Sequence, residues 1–500
     1  MSSKTWTRII ALSLFAALAL PLQLAAQDKA KQEHPHQFHH YQLIDIGTFG
    51  GPNSTYVLPP PSLRLLNNSG AAVGGGSDTS TPDPASCWNS DCYLSYGFKW
   101  QDGVVHKLDA LPGFNSSYTF WVSDSGLVAG LSENGIDPLT GNPAQEAILW
   151  GEDGSLTDLG TLGGNESTAN AVNNRGEVAG GALNAISDDP YAGIFYVPGA
   201  TQVHAFRWTK SQGMQDLGTL GGNDSTALFM NERGQIAGES FTDTTVNPST
   251  GFPTLAPFFW ENGKMLNLGT LGGLYGEAYA MNNRGQVVGF SDLAGDQTEH
   301  PFIWSKSEGM KDLGTLGGDY GHADYINDEG YVVGYNNTAD GTAGAFLWRD
   351  GVMTNLGTLG TNTASESYGV NSRGQVVGGM FANGVDLRAF LWEDGGPMVD
   401  LNTLIPANPD LELDNAPYIN DRGEIAGQGT FSNGDVHAFV LIPCDENHPS
   451  VAGGDYSLVE ASTAATRSTA HQHIPGTTQH LQSSRPAGRY RMPGPQLPGR

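Results

Sequence analysis

The sequence predicts an all-β chain folded as a β-propeller of eight four-stranded blades, closed by its N-terminal strand, with seven blades as the alternative. Three observations predict this. Three short motifs recur in a set order between residue 41 and about residue 443, and a fixed period of this size marks a repeat architecture. Glycines and turn residues fall at set offsets between β-branched and aromatic clusters, as punctuated strands require. No window of ten residues shows the three-and-four apolar spacing of a helix.

The first motif reads IDIGTFGG from Ile44, TDLGTLGG from Thr157, QDLGTLGG from Gln215, LNLGTLGG from Leu266, KDLGTLGG from Lys311 and TNLGTLG from Thr354. Degenerate copies, KLDALPG from Lys107 and DLNTLIP from Asp400, bring the number to eight. The second motif is a turn followed by a strand, such as VNNRGEVAG from Val172 and MNNRGQVVG from Met281. Its Asn supports an Asx-turn and its Gly accepts positive φ. The third motif is an aromatic strand ending at Trp100, Trp150, Trp208, Trp260, Trp304, Trp348 and Trp392, with Val440 at the eighth site. With a small-residue strand such as STANAVN, each unit holds four short strands, which is the arithmetic of a propeller blade. The Trp residues, at roughly 150–250 Å² of buried area each, are expected to join one blade to the next.

The chain enters at YQLIDIG, a fourth strand without three predecessors, and its last unit ends on HAFVLIP, a third strand without a successor. Pairing the two removes an exposed sheet edge. If the degenerate unit at residues 101–150 fails to form, seven blades remain.

Outside the repeats, Lys4, Arg8, the apolar run Ile9–Leu20 and the small residues near Ala26 and Gln27 form a secretory signal peptide over residues 1–27. No later segment offers about 18 consecutive apolar residues, so no membrane span is expected. The mature chain is expected to be secreted, to the periplasm or beyond. Residues 28–40 are a His-rich linker carrying His34, His36, His39 and His40, a tract able to bind a transition metal. Residues 41–445 form the propeller, and residues 446–500 a disordered tail rich in Ser, Thr, Pro and Gly.

Only 24 Lys and Arg stand against 52 Asp and Glu, a formal charge of -28. Such a surface repels phosphate backbones, so nucleic acid is excluded as a partner. A monomer is expected.

The ordered combination of DLGTLGG, NNRGQVVG and HAF, the last seen as HAFRW at His204 and HAFVL at His437, resembles the HAF repeat family of extracellular bacterial proteins. The resemblance covers residues 41 to about 443. It implies a secreted bacterial repeat protein and carries over no catalytic residue or activity. Unit two departs most from the pattern, with VHKLDALPG and EAILW.

No GxSxG elbow, HExxH or P-loop is present. The strand-start residues His204, His300 and His437 fall one per blade, too far apart to be joint metal ligands. Arg175, Arg233, Arg284, Arg373 and Arg422 occupy a turn position, where solvent or a nearby carboxylate is the expected partner. The candidate ligand face is the one carrying the connections between second and third strands. Insertions there are long in units one to four, at residues 75–95, 131–147, 181–203 and 239–255, and short in units five to eight. They bring Asp78, Asp83, Asp91, Glu133, Asp137, Asp188, Asp189, Tyr191 and Asp243 to one face, where calcium is the candidate bridging ion and no other cofactor is expected. Cys87 and Cys92 bracket a short loop and are expected to form a disulfide in an oxidising compartment, leaving Cys444 single. Two functions fit: a binding or scaffold module for an extracellular saccharide, peptide or protein, and a hydrolase or lyase acting on an extracellular polymer. A loop carboxylate with a raised pKa facing a deep pocket would favour the enzyme.

Overall fold

The computed structural model describes residues 37–55, 64–83, 92–136, 143–187, 201–248, 251–360, 364–382, 385–393, 395–406, 410–449 and 454–460. The described chain is all-β, apart from a single 3-10 turn at Leu401–Thr403. Its repeat units form four-stranded antiparallel sheets one after another. Unit six is representative: Gly317–Ile326, Val332–Thr338, Ala343–Arg349 and Val352–Gly357 pair in sequence order. The degenerate unit two forms the same sheet, from Ser117–Val122, Val128–Ile136, Pro143–Trp150 and Leu156–Asp158.

The last sheet is completed from the other end of the chain. Leu411–Ile419, Ile425–Phe431 and Val436–Pro443 pair in order, and Tyr41–Asp45 adds antiparallel to Val436–Pro443. Strand pairing also starts before and ends after the boundaries that composition suggests. Gln37–His39 pairs with Leu458–Glu460, inside the expected linker and tail. The cause is Phe38, 1% exposed, which shares an apolar cluster with Tyr41, Leu441 and Val459.

Within a sheet the second and third strands depend on each other. The Phe two places before the Trp is fully buried at Phe98, Phe206, Phe258, Phe302, Phe346 and Phe390, and so is Phe439 in the eighth unit, where strand register puts Leu441, and not the expected Val440, at the Trp position. It lies over the Gly of the second strand, so a Cβ at Gly378 would run into the Phe390 ring and the Glu366 carbonyl oxygen. GQVVG and AFLW are therefore one packing unit read from two places in the sequence.

Between sheets, the Trp does part of the joining. Trp304 stacks against Phe259 of the preceding unit with centroids 5.1 Å apart, and Trp150 donates from Nε1 to the carbonyl of Asp109. Trp260 and Trp348 are only half-buried and lie under Arg207 and Lys311 of the units before them.

Polar links repeat as regularly. The first-strand Ser accepts a backbone N–H from the preceding unit, as Ser225 does from Ala205 and Ser54 from Ala438. In the turns, Asn282 accepts from the N–H groups of Arg284 and Gln286, closing the Asx-turn, while Gly285 sits at φ 78. The amide of the same Asn then crosses to the next unit. Asn231 donates to the carbonyl of Asn282, Asn282 to Asn327, Asn327 to Asn371, Asn371 to Asn420, and Asn420 to Asn67. The last of these bonds, with Ala438 to Ser54, joins unit eight to unit one.

Candidate functional site

The hairpins between second and third strands are longer in the early units. Unit one extends them as Ala72–Pro82 and Tyr93–Gln101, against Val332–Thr338 and Ala343–Arg349 in unit six. Asp91, Asp137, Asp188, Asp189 and Tyr191 lie outside the described residues. Of the others, Asp78 is 2% exposed and accepts the N–H of Asn53, so it braces its own unit. Glu133 is 7% exposed and accepts the N–H of Asn115. Asp83 is half-buried beside the backbone pairing of its N–H with Cys92. Asp243 accepts the N–H of Thr245 within its own loop. The described members of the set form no three-donor group with one another, and two of them face into the sheets instead of out to a ligand. Cys92 is disulfide-bonded, Cys444 is a buried free thiol, and Cys87 lies outside the described residues.

The same end of the sheets carries His–Asp pairs that give the repeat motifs a shared purpose. His204 meets Asp216 at 2.8 Å, His300 meets Asp312 at 2.9 Å, and His437 meets Asp45 of the closing strand at 2.8 Å. In each, the His that opens the third strand, in HAF or in HPF at His300, pairs with the Asp of DLG, or of DIG at Asp45, on the adjacent strand. The turn arginines are partly tied down as expected: Arg422 pairs with Glu424 at 3.0 Å, and Arg175 pairs with Glu177 and reaches the carbonyl of Glu232 in the next unit.

The densest chemistry lies elsewhere, on the first strands. Each of units two to seven has a β-bulge there, opposite the second-strand Gly. The extra residue is Phe120, Asn170, Leu228, Tyr279, Asp324 or Tyr368 in turn. A bulge re-aims side chains and is favoured where function needs them re-aimed. In units five to seven the bulge and the residue two before it read Glu277 with Tyr279, His322 with Asp324, and Glu366 with Tyr368.

Packing of neighbouring first strands brings three of these together. His322, Asp324 and Glu366 offer ligand atoms that all lie within 4.8 Å of one another. The His322 Nδ1 is 2.9 Å from Asp324 Oδ1, and the Tyr368 hydroxyl donates to Glu366 Oε2 at 3.0 Å. The Tyr335 ring meets the imidazole edge-on at 4.1 Å, with Tyr279 at 5.5 Å beyond it. Tyr275 donates to Glu277 alongside. Asp324 is 2% and Glu366 6% exposed.

Burial sets the protonation of this group. It pushes the Asp324 carboxyl well above its ordinary value, with a hydrogen bond from Glu366 working against the shift. Burial also lowers the His322 imidazole, against the charges of Glu366 and Glu299. On the second strand of unit four, burial pushes Glu239 up to about 8. These raised carboxyls stand on strands and not on loops, unlike the pattern that would have favoured an enzyme.

Motif reading passed over this group because it rewards sameness. The signal was the departure from the repeat: HAD at 322–324 stands where other units carry TAN, TAL, EAY and ESY.

No protein-family model and no curated protein matches the chain. Among solved structures, it is similar to the β-propeller domain of the Trilobed protease from Pyrococcus furiosus, at 11% identity and a TM-score of 0.42, over 70% of this chain and 97% of that one. A structure from a study of two prolyl endopeptidases matches at 12% identity and a TM-score of 0.44, over 82% of this chain and 55% of that one. TolB from Acinetobacter baumannii matches at 10% identity and a TM-score of 0.32, over 80% and 96%. Likeness of this size assigns neither a site nor an activity. No helix among the described residues is long and apolar enough to cross a membrane.

Proposed function

We propose that the chain is an exported HAF-type repeat protein whose eight sheets are the blades of one closed β-propeller. Its function is to bind an extracellular saccharide, peptide or protein over the second-to-third hairpins of units one to four. The observation that carries this reading is the inequality of those hairpins. Units five to eight make the same sheet with short connections, so the added chain in units one to four exceeds what folding needs, and such loops are disproportionately functional. The acidic surface suits a partner that is neutral or cationic.

The test is a screen of the mature protein against glycans, cell-wall polymers and peptides, reading both retention and turnover. A variant with the four hairpins cut to the length found in units five to eight should lose retention and keep its melting midpoint. Retention that survives the trimming would move the site off this face. Turnover of a retained polymer would replace the binding module with a hydrolase or lyase.

A further inference from the structure

We propose that His322, Asp324 and Glu366 form a site for one divalent first-row transition ion, zinc being the best chemical match, held between the first strands of units six and seven. This inference is independent of the hairpin face.

The argument begins with the donor set. One imidazole nitrogen and two carboxylate oxygens suit zinc and its neighbours, for which imidazole is a favoured ligand. Calcium takes six to eight oxygens, a coordination that three residues including a histidine do not supply. Zinc bonds of about 2.1 Å in a tetrahedron separate ligands by about 3.4 Å. The three donors already lie within 4.8 Å of one another, so small side-chain rotations bring them onto one ion and leave its fourth position open.

The surroundings are arranged as those of a metal site are. Ligands are held by partners that fix their orientation, and here the Tyr368 hydroxyl holds Glu366 at 3.0 Å. Tyr335, Tyr279 and Phe290 enclose the imidazole, their centroids 4.1, 5.5 and 6.0 Å from it. Asp324 is the extra residue of the bulge that units two to seven share, and in this unit it sets a carboxylate 2.9 Å from the imidazole two residues before it. No other group of three His, Cys, Asp or Glu donors among the described residues comes so close.

The test uses the mature full-length chain stripped with chelator, in a background where His34, His36, His39 and His40 are alanine, so that the N-terminal tract cannot bind. Titration with Co2+ should give one equivalent of binding with the visible absorption of a four-coordinate nitrogen and oxygen site. Zn2+ should bleach that absorption, and millimolar Ca2+ should not. Glu366→Gln and His322→Ala should each weaken Zn2+ by about 100-fold or more, and Tyr368→Phe by about 10-fold, the usual effect of losing a ligand's supporting partner. A stripped protein that gives no one-equivalent cobalt spectrum would overturn the site. So would a Glu366→Gln variant that melts cooperatively and binds Zn2+ as tightly as its parent. If that variant fails to fold, the cobalt titration of the parent decides alone.

Discussion

At the end of the sheets where the first strand turns into the second, the units are built alike; at the opposite end they diverge. The alike end is a belt of asparagines, each closing its own turn and donating to the next unit's backbone, from Asn231 round to Asn67 and on to the carbonyl of Ser123. The other end holds the His–Asp pairs of HAF and DLG, and above them hairpins whose lengths differ from unit to unit. Repetition serves the joints between neighbouring units, each of which needs the same hydrogen bond in the same place. Variation collects where those joints do not depend on it. The first strands lie between the two ends and do both: their Ser and Ala positions repeat, while the bulge beside them carries Phe, Asn, Leu, Tyr or Asp.

The largest effect should come from the element that ties the chain's two ends together. Removing Tyr41–Gly47 takes away the fourth strand of the last sheet and the partner of His437. The melting midpoint should fall by about 10 °C or more, or the cooperative transition should vanish. An unchanged midpoint would mean that closure does not hold the fold.

A smaller effect separates the two ends directly. Asn327→Ala on the asparagine belt leaves the Asn371 carbonyl and the Tyr331 N–H without their partner, which should cost about 1–3 kcal/mol. Asp243→Ala among the hairpins should stay within about 0.5 kcal/mol. Equal losses in denaturant titrations would erase the distinction between the ends.

The smallest effect is electrostatic and belongs to the divergent end. Burial works against charge on His204, but its hydrogen bond and ion pair with Asp216 outweigh this and raise the imidazole above its ordinary value. Burial likewise opposes charge on Asp216, and the same pair outweighs it and lowers the carboxyl. The raised His contributes stability that is complete below its unfolded value near 6.5 and is lost as pH rises through its folded value. The lowered Asp contributes stability present above about 3.9 that is lost as pH falls through its folded value. The pair therefore acts between those limits. With the Asp216 side chain 45% exposed, screening holds it below about 1 kcal/mol. The midpoint difference between the parent and His204→Asn should be larger at pH 5.5 than at pH 8.5. A difference that stays constant would show that the contact acts by packing and not by charge.

Much of the fold was legible in the residues because its causes are local. Strand alternation, the Asx-turn of NNRG and the unpaired strand at Tyr41 each act over a few neighbouring positions, so the four strands of a unit and the pairing of the chain's two ends could be read directly. The pairing of Phe38 with the segment near Val459 could not, since neither three-residue strand has an apolar face of its own. The His–Asp pairs were half visible: both motifs were read, but the hydrogen bond joining them depends on the register of adjacent strands.

Function divides in the same way. Composition and the unequal insertions pointed to one face, yet Asp78 and Glu133, counted there by position, turn into the sheets, because an extended hairpin alternates its side chains between two sides. His322, Asp324 and Glu366 stand a full unit apart in sequence for the third donor, and nothing local joins them. By itself the sequence determined the strands, the turns, the order of the units and the lack of a local partner for the strand at Tyr41, since these follow from short-range sterics and hydrogen bonding. Only the tertiary structure decided which asparagine amide reaches which carbonyl and which bulged side chains face each other, because those contacts exist only once neighbouring sheets have packed.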